Sequence, residues 1–126
     1  MLAHIGIYTK DLERMRVFYE SYFGMTSNKK YQSKRIQGFE SYFLSFGDGT
    51  KLELMTTKEL AQPDVILATG LHHIAISVGN RSKVDELVIR LREDGYSIMS
   101  NPRVTGDHYY EAVVKDPDGN MVEITD

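Results

Sequence analysis

The sequence predicts an α+β fold made of two tandem βαβββ modules, and an internal repeat is what predicts it. The segment H-I-G-I-Y, starting at His4, returns as H-I-A-I-S at His73, an offset of 69. The segment D-G-T-K-L-E-L, starting at Asp48, returns as D-G-N-M-V-E-I at Asp118, an offset of 70. Two segments in the same order at nearly one offset argue for a duplicated unit of about 55–60 residues. Between them, each repeat holds one stretch of helical periodicity among strand-like runs.

Module 1 covers about residues 1–60 and module 2 about residues 71–126, and the 126 residues suit a single domain with a real core. Each module opens on a short strand, Ala3–Tyr8 and His72–Val78. A helix follows. In module 1 it is predicted over Asp11–Phe23, where Leu12, Met15, Phe18, Tyr19 and Tyr22 recur at helical spacing. Asp11 is its expected N-cap and Gly24 its stop. In module 2 it is predicted over Lys83–Asp94, with Ser82 as N-cap, an apolar stripe of Val84, Leu87, Val88 and Leu91, and Gly95 as the stop. Three shorter strands complete each module. They are expected near Thr26–Tyr31, Glu40–Phe46 and Lys51–Thr56, then near Ser97–Asn101, Tyr109–Lys115 and Met121–Thr125. Gly47-Asp48-Gly49 and Asp116-Pro117-Asp118-Gly119 are turn signals between the last two strands of each module. Residues 57–70 read as a linker joined near Gln62-Pro63, with a short helical turn expected at Lys58–Ala61.

Composition narrows the function. Hydrophobic residues make up 41% and charged residues 26%, ordinary for a soluble globular protein. The net charge of -3 gives no reason to expect a nucleic-acid or membrane partner. There is no cysteine, which excludes disulfides, cysteine–zinc sites and a thiol nucleophile. The opening stretch M-L-A-H-I-G-I-Y-T-K-D-L has no long apolar run or cleavage site, and no segment reaches the ~20 apolar residues of a membrane helix. The expectation is a cytoplasmic protein.

Strand alternation then selects residues. Ile5 and Ile7 share a face with Ala3, while His4, Gly6 and Tyr8 share the other. Ile74, Ile76 and Val78 share a face with His72, while His73, Ala75 and Ser77 share the other. The aliphatic faces should pack under the helices. The opposite faces carry a histidine followed by a small residue, which suits a cavity wall. His73 is therefore the repeat partner of His4, and His72 is assigned to the core edge or an interface. Glu53 and Glu123 sit between aliphatics in the last strand of each module, and if both halves curl the same way they point with the histidines into concave faces. A lone strand histidine or glutamate is usually structural or solvated. A matched pair in both repeats is a different matter. Two imidazoles and two carboxylates make a good site for a divalent metal and leave positions open for two oxygens of one substrate.

With these residues in place, the chain resembles the vicinal oxygen chelate superfamily, especially the glyoxalase I (lactoylglutathione lyase) type. The resemblance rests on H-I-G-I-Y-T-K-D-L, F-Y-E-S-Y-F-G-M, L-E-L-M, G-L-H-H-I-A-I-S-V and K-D-P-D-G-N-M-V-E-I, which span nearly the whole chain. It implies paired modules forming an open eight-stranded barrel that holds one metal ion, with ligands at His4, Glu53, His73 and Glu123. The ion could be nickel, zinc, cobalt or manganese. It also implies a lyase or isomerase acting on a small substrate with vicinal oxygens, a thiol conjugate being one candidate, through an enediolate. Glu123 is the first choice for the base and Glu53 the second. The implied assembly is a homodimer with sites at its interface, His4 and Glu53 of one chain facing His73 and Glu123 of the other. The alternatives are a small-molecule (antibiotic) binding or resistance protein, and a different metal enzyme such as a thiol transferase or dioxygenase. An intact ligand set argues against a metal-free binder.

The substrate pocket is less defined. Arg14, Arg16, Lys34, Arg35 and Arg103 are available cations, most of them expected in solvent. The loop Val104-Thr105-Gly106-Asp107-His108-Tyr109-Tyr110 is a candidate rim, against the simpler reading that His108 is an exposed loop residue and one tyrosine packs the core. Phe18, Tyr19, Tyr22 and Phe23 read as helix packing.

Overall fold

In both modules the sheet forms with one helix against it. The computed structural model describes residues 3–61, 69–106 and 108–126. Gln62, Pro63 and Asp107 lie outside these. The chain divides into two compact units, residues 1–68 and 69–126.

Unit 1 runs β1 (Ile5–Tyr8), α1 (Leu12–Phe23), β2 (Thr26–Ser27), β3 (Tyr31–Gln32), β4 (Glu40–Ser45) and β5 (Lys51–Thr56). Its sheet has the order β1-β5-β4-β2, with β3 also paired to β4. Strand β1 lies parallel to β5, and the remaining pairs are antiparallel. Unit 2 runs β6 (His73–Ser77), α2 (Arg81–Glu93), β7 (Ile98–Val104), β8 (Tyr110–Lys115) and β9 (Met121–Thr125), with sheet order β6-β9-β8-β7. Again the first and last strands are the parallel pair. No helix among the described residues is long and apolar enough to cross a membrane.

The helices end where short-range chemistry requires. Asp11 caps α1 by accepting the Arg14 N–H at 3.0 Å. Gly24 stops it in the left-handed region at φ 67°, which costs glycine nothing. Helix α2 starts two residues before the expected Lys83. Its cap is Asn80, whose side chain accepts the Lys83 N–H at 3.0 Å, and not Ser82. Ser82 lies inside the first turn and donates to Glu86. The apolar stripes face the sheets. Met15, Phe18 and Tyr19 pack with Leu44, Leu52 and Leu54, and Val84, Val88 and Leu91 pack with Ala112, Val114, Val122 and Ile124, all buried.

Three more expectations change. The strand predicted over Thr26–Tyr31 is broken into β2 and β3. Between them Asn28 pairs with Phe43 twice, its N–H donating to the carbonyl and its side-chain oxygen accepting the Phe43 N–H at 2.8 Å. A side chain thus fills a ladder position. Strand β7 continues beyond Asn101 through Pro102. It can do so because β7 is an edge strand, and its register with β8 shifts between Ser100 and Arg103. No helical turn forms at Lys58–Ala61. Four residues gain too few hydrogen bonds to offset helix nucleation, and Lys58 packs instead over Gly38.

The helix side of unit 1 carries a charged cluster. Lys30 Nζ bridges Glu13 at 2.8 Å and Glu40 at 3.4 Å, Arg16 bridges Glu13 and Glu20, and the Tyr42 hydroxyl donates to Glu13. Both cations lie over the Tyr42 ring. Led by the Lys30 ammonium, these donors lower the Glu13 carboxyl from 4.5 to about 2. A depressed carboxyl stabilises the fold fully above its ordinary value and loses that effect as pH falls through about 2. Because Glu13 is half exposed, solvent screening holds the gain to about 1 kcal/mol. Glu13→Gln should therefore lower urea stability by about that amount at neutral pH, and the gap to the parent should close as the pH approaches 2.

Candidate metal centre

Parallel pairing decides which side chains meet. In unit 1, Gly6 stands opposite Glu53 and Ile5 opposite Leu52. His4, one residue before β1, therefore lies diagonal to Glu53 on the face away from α1. Its Nε2 is 3.5 Å from Glu53 Oε2. In unit 2, Ala75 stands opposite Glu123 and His73 opposite Met121. The diagonal is the same, and His73 Nε2 is 3.6 Å from Glu123 Oε2. The small residue predicted as a cavity wall stands directly across from each glutamate. At Gly6 an added Cβ would lie 2.8 Å from the Met55 methyl.

Burial is graded in both pairs. The glutamate side chains are 17% and 19% exposed, the histidines 43% and 40%. Each carboxylate is thus held near the sheet while its imidazole remains reachable. The surroundings differ between the halves. The His4 ring meets the edge of Phe43, with centroids 5.2 Å apart at 89°, and Phe43 stands opposite Glu53 on β4. The matching neighbour of Glu123 is Val113. On the same face as Glu123, the Thr125 hydroxyl is buried without a hydrogen-bond partner among the described residues.

The donor set fits a divalent cation. Neutral imidazole nitrogen and carboxylate oxygen are the ligands that zinc, nickel, cobalt and manganese accept. Two donors about 2.0–2.1 Å from one ion stand about 3.0 Å apart at a right angle and about 3.4 Å apart at the tetrahedral angle. The separations of 3.5 and 3.6 Å are close to that and longer than a good N–H···O bond. Each half supplies two donors. Among the described residues no group of three or more histidine, aspartate or glutamate side chains converges.

Other expected residues fall as follows. Arg16 belongs to the charged cluster on the helix side of unit 1. Arg103 is 3.7 Å from Glu111 and donates to the Ser100 hydroxyl, while Arg14, Lys34 and Arg35 are exposed. The 104–110 loop closes the β7–β8 hairpin through Thr105 and Tyr109. His108 is exposed in it, with φ at 74°. Tyr110 turns to α2, donating to Asp85 at 2.7 Å beneath the Arg81 guanidinium. Tyr109 is exposed.

Two residues do more than the sequence reading gave them, Asp116 as part of a turn signal and His72 as a core-edge or interface residue. Asp116 is buried and shapes the β8–β9 turn. Its Oδ1 accepts the N–H groups of Asp118 and Asn120, and its Oδ2 accepts the Asn120 amide. An aspartate two residues before a second aspartate and a glycine is the available signal. The other is His72. It precedes β6, so strand alternation does not govern it, and its Nδ1 lies 2.9 Å from that of His73. His72 is exposed, which corrects the core-edge half of its expected assignment.

Comparison with known proteins agrees with this architecture. Residues 1–124 match the Glyoxalase/Bleomycin resistance protein/Dioxygenase superfamily. The chain belongs to that superfamily. It is similar to the uncharacterized protein YqjT of Bacillus subtilis (strain 168), at 28% identity over 98% of this chain and 96% of the other. Among solved structures it is similar to the trypanothione-dependent glyoxalase I of Leishmania major, with TM-score 0.79, 26% identity, and coverage of 100% and 86%. It is also similar to a glyoxalase I variant from Zea mays, with TM-score 0.80, 28% identity, and coverage of 98% of this chain but 43% of that one.

Each His–Glu pair is long and its imidazole nearly half exposed, so the pairs are poor contributors to stability. Glu53→Gln and Glu123→Gln should each change the unfolding free energy by less than about 1 kcal/mol in urea titrations. A loss of several times that would mark the pairs as structural.

Proposed function

We propose that the protein is a metal-dependent lyase or isomerase of the glyoxalase type, acting on a small substrate with two adjacent oxygens. One observation carries this reading: the same His–Glu diagonal occurs in both halves of the chain, at 3.5 and 3.6 Å. His4 and Glu53 from one half, with His73 and Glu123 from the other, would hold one divalent ion of the nickel, zinc, cobalt or manganese group. When bound, such an ion supplies Lewis acidity to two neighbouring substrate oxygens. Glu123 takes the proton from the carbon beside the substrate carbonyl and returns it to the adjacent carbon, which isomerises the substrate. Glu53 is the second choice for that base. The absence of a side chain at Gly6 admits the Met55 methyl beside Glu53. The assembly proposed is a homodimer whose sites combine His4 and Glu53 of one chain with His73 and Glu123 of the other. The proposed substrate is a thiol conjugate of a small dicarbonyl.

Elemental analysis of protein purified without added metal tests the site. About one divalent ion per chain is expected, lost in His4→Ala. Glu123→Gln should retain metal and lose turnover of methylglyoxal with glutathione or another thiol. Undiminished turnover would remove Glu123 as the base. Protein that carries no metal and takes up neither nickel nor zinc would instead be a binder whose four side chains line a pocket. A monomer by light scattering at micromolar concentration would count against sites shared between chains.

A further inference from the structure

The two histidines of the second half stand in an arrangement that the first half does not repeat. His72 and His73 are edge to face, with ring centroids 5.2 Å apart and planes at 83°. Their Nδ1 atoms are 2.9 Å apart. Both nitrogens of His73 are therefore engaged, Nδ1 with His72 and Nε2 beside Glu123. In the first half the residue before His4 is Ala3, which has no polar side-chain atom, and the His4 ring instead meets Phe43.

Two imidazole nitrogens at 2.9 Å need one proton between them. Neutral rings allow two arrangements. In the first, His72 donates, and His73 carries its proton on Nε2, toward Glu123. In the second, His73 donates from Nδ1, and its Nε2 presents a bare lone pair. Only the second can ligate a cation. We propose that His72 is a positioning residue for His73: it pins the ring through Nδ1, and as acceptor it holds His73 in the tautomer whose Nε2 lone pair faces the site. The proposal rests on the metal reading given above.

The exchange between arrangements balances. The His73 Nε2 proton leaves to water. The His72 Nδ1 proton moves to His73 Nδ1. His72 is exposed, so its Nε2 takes a proton back from water. The pair keeps two protons throughout, and loading His73 releases none. A histidine that ligates metal generally donates its other N–H to a nearby acceptor, and removing that acceptor typically costs 10–100-fold in affinity. Here the acceptor comes from the adjacent residue.

Two variants test this. His72→Ala removes the acceptor, and His72→Asn restores an oxygen near the position of Nδ1. Zinc titration calorimetry on the full chain should show affinity reduced about 10–100-fold in His72→Ala and largely recovered in His72→Asn. Parent-like affinity in His72→Ala, or an equal loss in both variants, would overturn the proposal. Long-range proton–nitrogen spectra of the imidazoles, recorded without metal in mildly alkaline buffer, give a second readout. In the parent protein, His73 should carry its proton on Nδ1 with Nε2 bare, and His72 Nδ1 should be bare; the reverse assignment would overturn the proposal. In His72→Ala, His73 should revert to the tautomer mixture of a free imidazole. An unchanged His73 spectrum would also overturn the proposal. If the parent takes up no zinc, the metal reading fails, and these spectra alone decide the pairing.

Discussion

The parallel pairing of the first and last strand in each half is the constraint on which the site depends. Neighbouring parallel strands hold a fixed register, so a residue just before one strand sits diagonal to a residue two places along the other. With Ile5 opposite Leu52 and Ile74 opposite Val122, each histidine meets the glutamate of its own sheet. A slip of one residue would turn Leu52 or Leu54, or Val122 or Ile124, away from its helix and toward water. The hydrophobic effect that seats the helix therefore also sets the spacing between imidazole and carboxylate.

The two halves share donors but not surroundings. Phe43 stands opposite Glu53, and Val113 opposite Glu123. Alanine precedes one histidine, and a second histidine precedes the other. The Asp116 carboxylate gathers the β8–β9 turn by accepting three N–H groups from Asp118 and Asn120, while in the matching turn of unit 1 Asp48 accepts the Thr50 N–H. Sequence symmetry in the donors thus coexists with chemical asymmetry around them. Two glutamates in matched positions therefore sit in different surroundings.

Much of this was legible before the structure. Repeat spacing and the period of two placed β5 and β9 residue for residue, and the period of 3.6 placed both apolar stripes. The misses share a cause. Asn80 displaced Ser82 as a cap because both are good caps, and the choice depends on where the chain leaves β6. Asn28 imitates a ladder partner with its side chain, which no periodicity records. Alternation misplaced His72 because the strand begins one residue later than its apolar pattern. Both His–Glu pairs were legible as matched faces, but the 2.9 Å contact between neighbouring rings was not.

The region between the paired strands has changed length while their register has not. The helix caps Asp11 and Asn80 lie 69 residues apart, the helix-stopping glycines Gly24 and Gly95 lie 71 apart, and Glu40 and Tyr110, at the starts of β4 and β8, lie 70 apart. Residues have been gained and lost inside one crossover, yet both diagonals persist. A crossover of this length carries slack that a tight hairpin lacks, because a hairpin loop dictates its own register. Insertions can therefore accumulate between the helix and the third strand, reshaping whatever surrounds the site, while the four donors stay in register. The fold separates the part of the chain free to diversify from the part that must not move.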